Sequence, residues 1–172
     1  MRKALVLTVM LSPGSLTPAE TQTPSAAQQA FNRLKTLEGA WIDADGIFGK
    51  KGAVGVTYKV TSGGHSVIET FPAGTANEMV TVYHLEGNDL VLTHYCTSNT
   101  QPRMKSSGLQ GNTLTFVFAG GTNIDPDHTS HMHSAKIEFL SADEIRGTWD
   151  NWEHGKLDHS ATFRVVRKKS RM

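Results

Sequence analysis

Two runs in the C-terminal third carry a clear alternation: Ser134-Ala135-Lys136-Ile137-Glu138-Phe139-Leu140 and, after the break Ser141-Ala142-Asp143, Glu144-Ile145-Arg146-Gly147-Thr148-Trp149-Asp150-Asn151. In the first, apolar Ala135, Ile137 and Phe139 alternate with charged Lys136 and Glu138. In the second, Ile145 and Trp149 alternate with Glu144, Arg146 and Asp150. A side-chain period of two belongs to a strand with one face in a core and the other in water. A three-residue break is too short for a crossover helix, so the two strands must be antiparallel neighbours.

The same alternation runs from Trp41 to Arg167, punctuated by the turn pairs Gly63-Gly64, Gly87-Asn88, Gly111-Asn112 and Gly155-Lys156. Ten strands are predicted, at about 40–46, 53–61, 65–71, 78–86, 89–97, 102–109, 113–119, 130–140, 144–152 and 158–167. A meander of that length has two exposed edges, and closure removes both. The expected fold class is therefore all-β, an antiparallel up-and-down β-barrel of about ten strands, with eight as the alternative. One helix precedes it. Ser25 is placed to N-cap residues 26–38, whose Ala30, Phe31, Leu34 and Leu37 share a face before Gly39, and this helix should cap one end of the barrel.

The 172 residues carry 17 Lys+Arg against 16 Asp+Glu, with 38% apolar residues and one cysteine. That composition suits one globular domain, at 26–167, with a real core. It offers no basic surplus for nucleic acid. The lone Cys96 excludes a disulfide framework and any paired-cysteine zinc or redox motif. Residues 1–19 read as a signal peptide, with Arg2 and Lys3 before the apolar run Ala4 to Leu11 and a small residue, Ala19, at the end, which predicts a secreted or periplasmic protein. The apolar run is far short of the roughly 20 residues a membrane span needs. Residues 20–25 read as a disordered tether and 168–172 as a solvated basic tail.

Gly39-Ala40-Trp41, after a short helix and at the start of the first strand, resembles the Gly-x-Trp motif of lipocalin-like (calycin) barrels. Phe163-Arg164-Val165-Val166-Arg167 resembles the last calycin strand, in which a basic residue packs over that tryptophan. The stretch Glu78 to Met104, with Val82-Tyr83-His84-Leu85 and Thr93-His94-Tyr95-Cys96, is similar to small bacterial secreted lipocalin-like domains, and the likeness covers residues 30–167. The ten-strand count is nearer to fatty-acid-binding and nitrobindin-like barrels. What the resemblance implies is a barrel with an interior cavity and no particular activity.

Parity then nominates the interior. Odd residues face inward around Ala135, Ile137 and Phe139, which carries His131 and His133 inward as well. Leu90 and Leu92 share parity with His94 and Cys96. Leu114, Phe116 and Phe118 share a face, as do Ile145, Gly147, Trp149 and Asn151; Val54, Val56, Tyr58 and Val60 line the second strand, and Met104 the sixth. The expected ligand-binding set is thus Tyr58, His94, Cys96, Met104, Phe116, His131, His133, Trp149 and Asn151, around a small hydrophobic or amphipathic molecule held by a monomer or homodimer. His131-Met132-His133 places two imidazoles on one strand face, so His94, His131 and His133 are candidate ligands for zinc or copper, or one of them for haem iron, with redox or isomerase chemistry to follow. Alternatively the histidines hydrogen-bond to one another, to Asn151 or Tyr58, or to water. Glu69 and Asp150 are the carboxylates nearest the interior, and the weak alternation around Glu69 leaves its direction open. Cys96, with no basic neighbour, reads as an inert thiol. Trp152 reads as a rim residue.

Overall fold

The structure is a computed structural model that describes residues 23–106 and 108–169. The signal peptide expected at 1–19, residues 20–22 of the tether and residues 170–172 of the tail lie outside the described residues. Helix α1 spans Ala26–Lys35; the Ser25 hydroxyl accepts the Gln28 N–H at 3.2 Å, and Ala27, Ala30, Phe31 and Leu34 are its buried face. It ends earlier than the apolar spacing predicts, because Thr36 caps it and Leu37 turns in to accept the Trp41 indole N–H at 2.7 Å.

Eleven strands follow: β1 Gly39–Asp43, β2 Val54–Thr61, β3 Ser66–Phe71, β4 Met79–Glu86, β5 Asp89–Tyr95, β6 Gln101–Ser106, β7 Leu109–Gln110, β8 Thr113–Thr122, β9 His131–Phe139, β10 Glu144–Glu153 and β11 Lys156–Arg167. Each pairs antiparallel with its chain neighbour, except that β6 pairs with β8 and β1 with β11. Those two pairings close an antiparallel ten-strand β-barrel, with the two-residue β7 as an appendage of β8. No helix among the described residues is long and apolar enough to cross a membrane.

The interior is filled along most of its length by Trp41, Val56, Tyr83, Leu90, Leu92, Met104, Leu114, Phe116 and Val165, none of which is exposed. Each such side chain stabilises the fold by about 1.5–3 kcal/mol. At one end α1 lies over β4, β5 and β7. At the seam, the Arg167 guanidinium lies 4.4 Å over the Trp41 ring and donates to the carbonyls of Glu38 (2.9 Å) and Thr36 (2.7 Å), so the last strand grips both the first strand and the end of the helix.

Two expectations need correction. The strand expected at 113–119 is β8 and runs on to Thr122, where Gly121 lets it lie against β6: a Cβ there would stand 2.7 Å from the Gln101 carbonyl oxygen. In β9 the alternation breaks. Ser134 pairs with Asp150 and Met132 with Asn151, so His133 is an extra residue, a bulge, and the inward position that alternation from Ala135 gave to His133 passes to Met132, while His131 stays buried at 1% exposure.

Candidate functional site

Four inward residues stand side by side across four strands, Tyr58 opposite Glu69, Glu69 opposite Thr81 and Thr81 opposite His94, all buried. The register of β2 to β5 therefore builds a polar row inside an apolar barrel. Glu69 is 1% exposed; Tyr58 donates to Oε1 at 2.9 Å and Tyr83 to Oε2. Burial pushes its carboxyl up to about 7, against the pull of the two tyrosine hydrogen bonds. Burial, and then the Glu69 charge, raises both tyrosine hydroxyls well above their ordinary value.

At the far end of the row, His94 is fully buried with Nδ1 2.9 Å from the Thr81 hydroxyl. Its Nε2 is, among the described residues, the one buried side-chain nitrogen or oxygen without a hydrogen-bond partner. Burial lowers its pKa to about 4, so the imidazole is neutral at pH 7. The ring leans on Phe71 (centroids 5.6 Å) and Trp149 (4.8 Å).

His94 is also part of the wall of a cavity of roughly 210 Å³ at the barrel end away from α1. The rest of that wall is Phe71, Trp149, Phe163, Met79 and Met132, with Pro72 and part of β11 around Ala161. Gly147 makes room for one wall: a Cβ there would stand 2.2 Å from the Phe163 ring. The cavity is roofed by Ile47 and Phe48 from the loop between β1 and β2. Asp43, 1% exposed, holds this loop in place, its carboxylate accepting N–H groups from Asp45 (3.2 Å), Gly46 (2.8 Å) and Phe48 (2.8 Å). The Phe48 ring then rests on Phe163 (5.0 Å) and over Gly55, where a Cβ would come within 2.6 Å of it.

The other two candidate histidines, His131 and His133, form a separate cluster. His131 Nδ1 donates to the Thr129 carbonyl at 2.7 Å, and its Nε2 lies 3.0 Å from His133 Nδ1. A carbonyl only accepts, so in the neutral pair His131 Nε2 accepts the His133 N–H. The His133 ring is sandwiched between Trp152 (3.9 Å) and Phe118 (4.8 Å), and burial, then His131, lowers its pKa. Its ring partners differ from those of His94. Among the described residues no three His, Cys, Asp or Glu side chains are grouped to hold a metal ion. The structure thus does not gather His94, His131 and His133 around a zinc or copper position.

Of the remaining expected site residues, Trp149 lines the cavity, while Tyr58, Met104 and Phe116 pack in the barrel core. Asn151 is turned to Ser130 (3.0 Å) and Asp158. Cys96 lies past the end of β5, its sulfur 3.9 Å from that of Met79. Asp150 bonds to Ser134 and Ser160. Sequence reasoning missed the roof and, in the wall, Phe71, Met79, Met132 and Phe163. The signal for the roof was present, since Ile47 and Phe48 are two large apolar residues in a glycine-rich loop. Compared with known proteins, the chain matches no protein-family model and no curated protein sequence.

Proposed function

We propose that the protein binds a small, mainly apolar molecule in the cavity beneath Ile47 and Phe48, with His94 orienting its polar group. The observation that carries this is that His94, whose Nε2 has no hydrogen-bond partner, lines the cavity together with aromatic and thioether side chains. A buried polar atom without a partner costs about 1–3 kcal/mol, which a ligand's hydrogen bond would offset. Size narrows the choice. At roughly 210 Å³ the cavity exceeds the ~150 Å³ that takes up benzene and falls below the ~300 Å³ at which drug-sized sites begin. One ring or a short chain fits; a porphyrin does not, and the haem and metal alternatives have no comparable support.

The fold is read as a lipocalin-like (calycin) barrel, supported by Trp41 beneath Arg167 at the β1–β11 seam. The leader-like residues 1–19 support action outside the cytoplasm, in a secreted or periplasmic setting. The test is a titration of the ¹³C-methyl-labelled protein with toluene. Saturable shifts at the methyls of Met79, Met132 and Ile47 are expected; unmoved methyls up to the solubility limit of toluene overturn the reading.

A further inference from the structure

Resting on that reading, we infer that the cavity selects a neutral one-ring compound bearing a hydroxyl, a phenol, whose O–H pairs with Nε2 of His94. The walls speak for a ring: Phe48, Phe71, Trp149 and Phe163 offer faces and edges, and Met79 and Met132 offer sulfur, which favours the edges of aromatic rings. The choice of polar group follows from Thr81. Its hydroxyl either donates to His94 Nδ1 or accepts from it, so Nε2 presents a proton in one case and a lone pair in the other. A hydroxyl serves both, whereas a carbonyl serves only the first. Charge is excluded by the lining, which holds no Lys or Arg for a carboxylate and no Asp or Glu for an ammonium.

The test uses phenol, toluene and benzoate as probes, with calorimetric titration of the wild-type protein and His94→Phe. Phenol and toluene differ by a hydroxyl for a methyl, and a purely apolar cavity prefers toluene by roughly two- to thirtyfold. Wild-type protein is expected to bind phenol at least as tightly as toluene, with no measurable benzoate binding. His94→Phe should weaken phenol by about tenfold and leave toluene within about threefold. Should His94→Phe fail to fold, the ¹⁵N shift of His94 Nε2 in the wild type decides, because it should move with phenol and hold still with toluene. If wild type prefers toluene, or if benzoate binds as well as phenol, the hydroxyl inference falls while the apolar cavity stands. If neither phenol nor toluene binds, both readings fall.

Discussion

Replacing Glu69 by Gln should change how stability depends on pH, by an amount that follows from the carboxyl's surroundings. Gln keeps the shape and one acceptor for the tyrosines but cannot ionise. In the folded barrel the Glu69 carboxyl titrates at about 7, against 4.5 as its ordinary value. The folded state therefore holds this proton more tightly than the unfolded chain. Its contribution is fully present below pH 4.5 and is lost as pH rises through 7. At 1.36 kcal/mol per pH unit the wild type loses about 3 kcal/mol, relative to Glu69→Gln, between pH 4.5 and pH 8. Urea unfolding of both proteins at one-unit intervals from pH 4.5 to 8.5 gives the difference directly, and subtraction cancels every other titrating group. The difference should be level below about pH 4.5, fall with a slope near 1.36 kcal/mol per pH unit between 4.5 and 7, and level off again above 7. A difference that stays flat from pH 4.5 to 8.5 would show that the barrel interior accommodates the carboxylate without penalty, and the argument from burial would fail.

The opposite slope belongs to His94, whose pKa falls from 6.5 to about 4: its contribution is present above pH 6.5 and lost as pH falls through 4. Urea unfolding at pH 7 and pH 4.5 should therefore show His94→Phe losing less stability on acidification than wild type does, by about 2–3 kcal/mol. Gly147→Ala forces a methyl into the Phe163 ring, and overpacking of that kind should destabilise by about 1–3 kcal/mol, read calorimetrically as a melting temperature lower by about 3–10 °C. Arg167→Lys keeps the charge but loses the planar fork that reaches two carbonyls while covering Trp41, which should cost about 1–2 kcal/mol in urea unfolding at pH 7.

The strand pattern was legible because turn residues and alternation are local properties, and each two-residue hairpin fixes the strand on either side of it. The barrel's closure followed from the need to pair both edges. What local reading lost was parity wherever backbone geometry intervenes. Nothing in Ser130-His131-Met132-His133-Ser134 marks His133 as a bulge; it arises from fitting β9 to β10, and one extra residue moves Met132 to the cavity. Glu69 was ambiguous for a different reason. Alternation identifies the buried face by its apolar residues, and the face here carries a carboxylate whose partners, Tyr58 and Tyr83, come from other strands. His94 was found because Leu90 and Leu92 set its parity; Cys96, two residues on, was misplaced because the strand ends at Tyr95. The roof over the cavity depends on Asp43 collecting backbone N–H groups, a three-dimensional arrangement that sequence spacing does not express.

The pairing of β1 with β11, Trp41 opposite Arg167, also sets when the molecule can be finished. Strands β2 to β10 can assemble hairpin by hairpin, but the outer edge of β1 has no mate until residues 156–167 are available. Until then β1 and β10 both present rows of bare N–H and C=O groups, the feature that recruits other chains into mixed sheets. The most distant contact in the sequence is thus the one that ends this exposure, and long-range pairings of that kind form slowly. The final twelve-residue strand acts as the clasp of a bracelet: whatever holds it back, such as a bound chaperone, leaves the whole ring open and prone to aggregation.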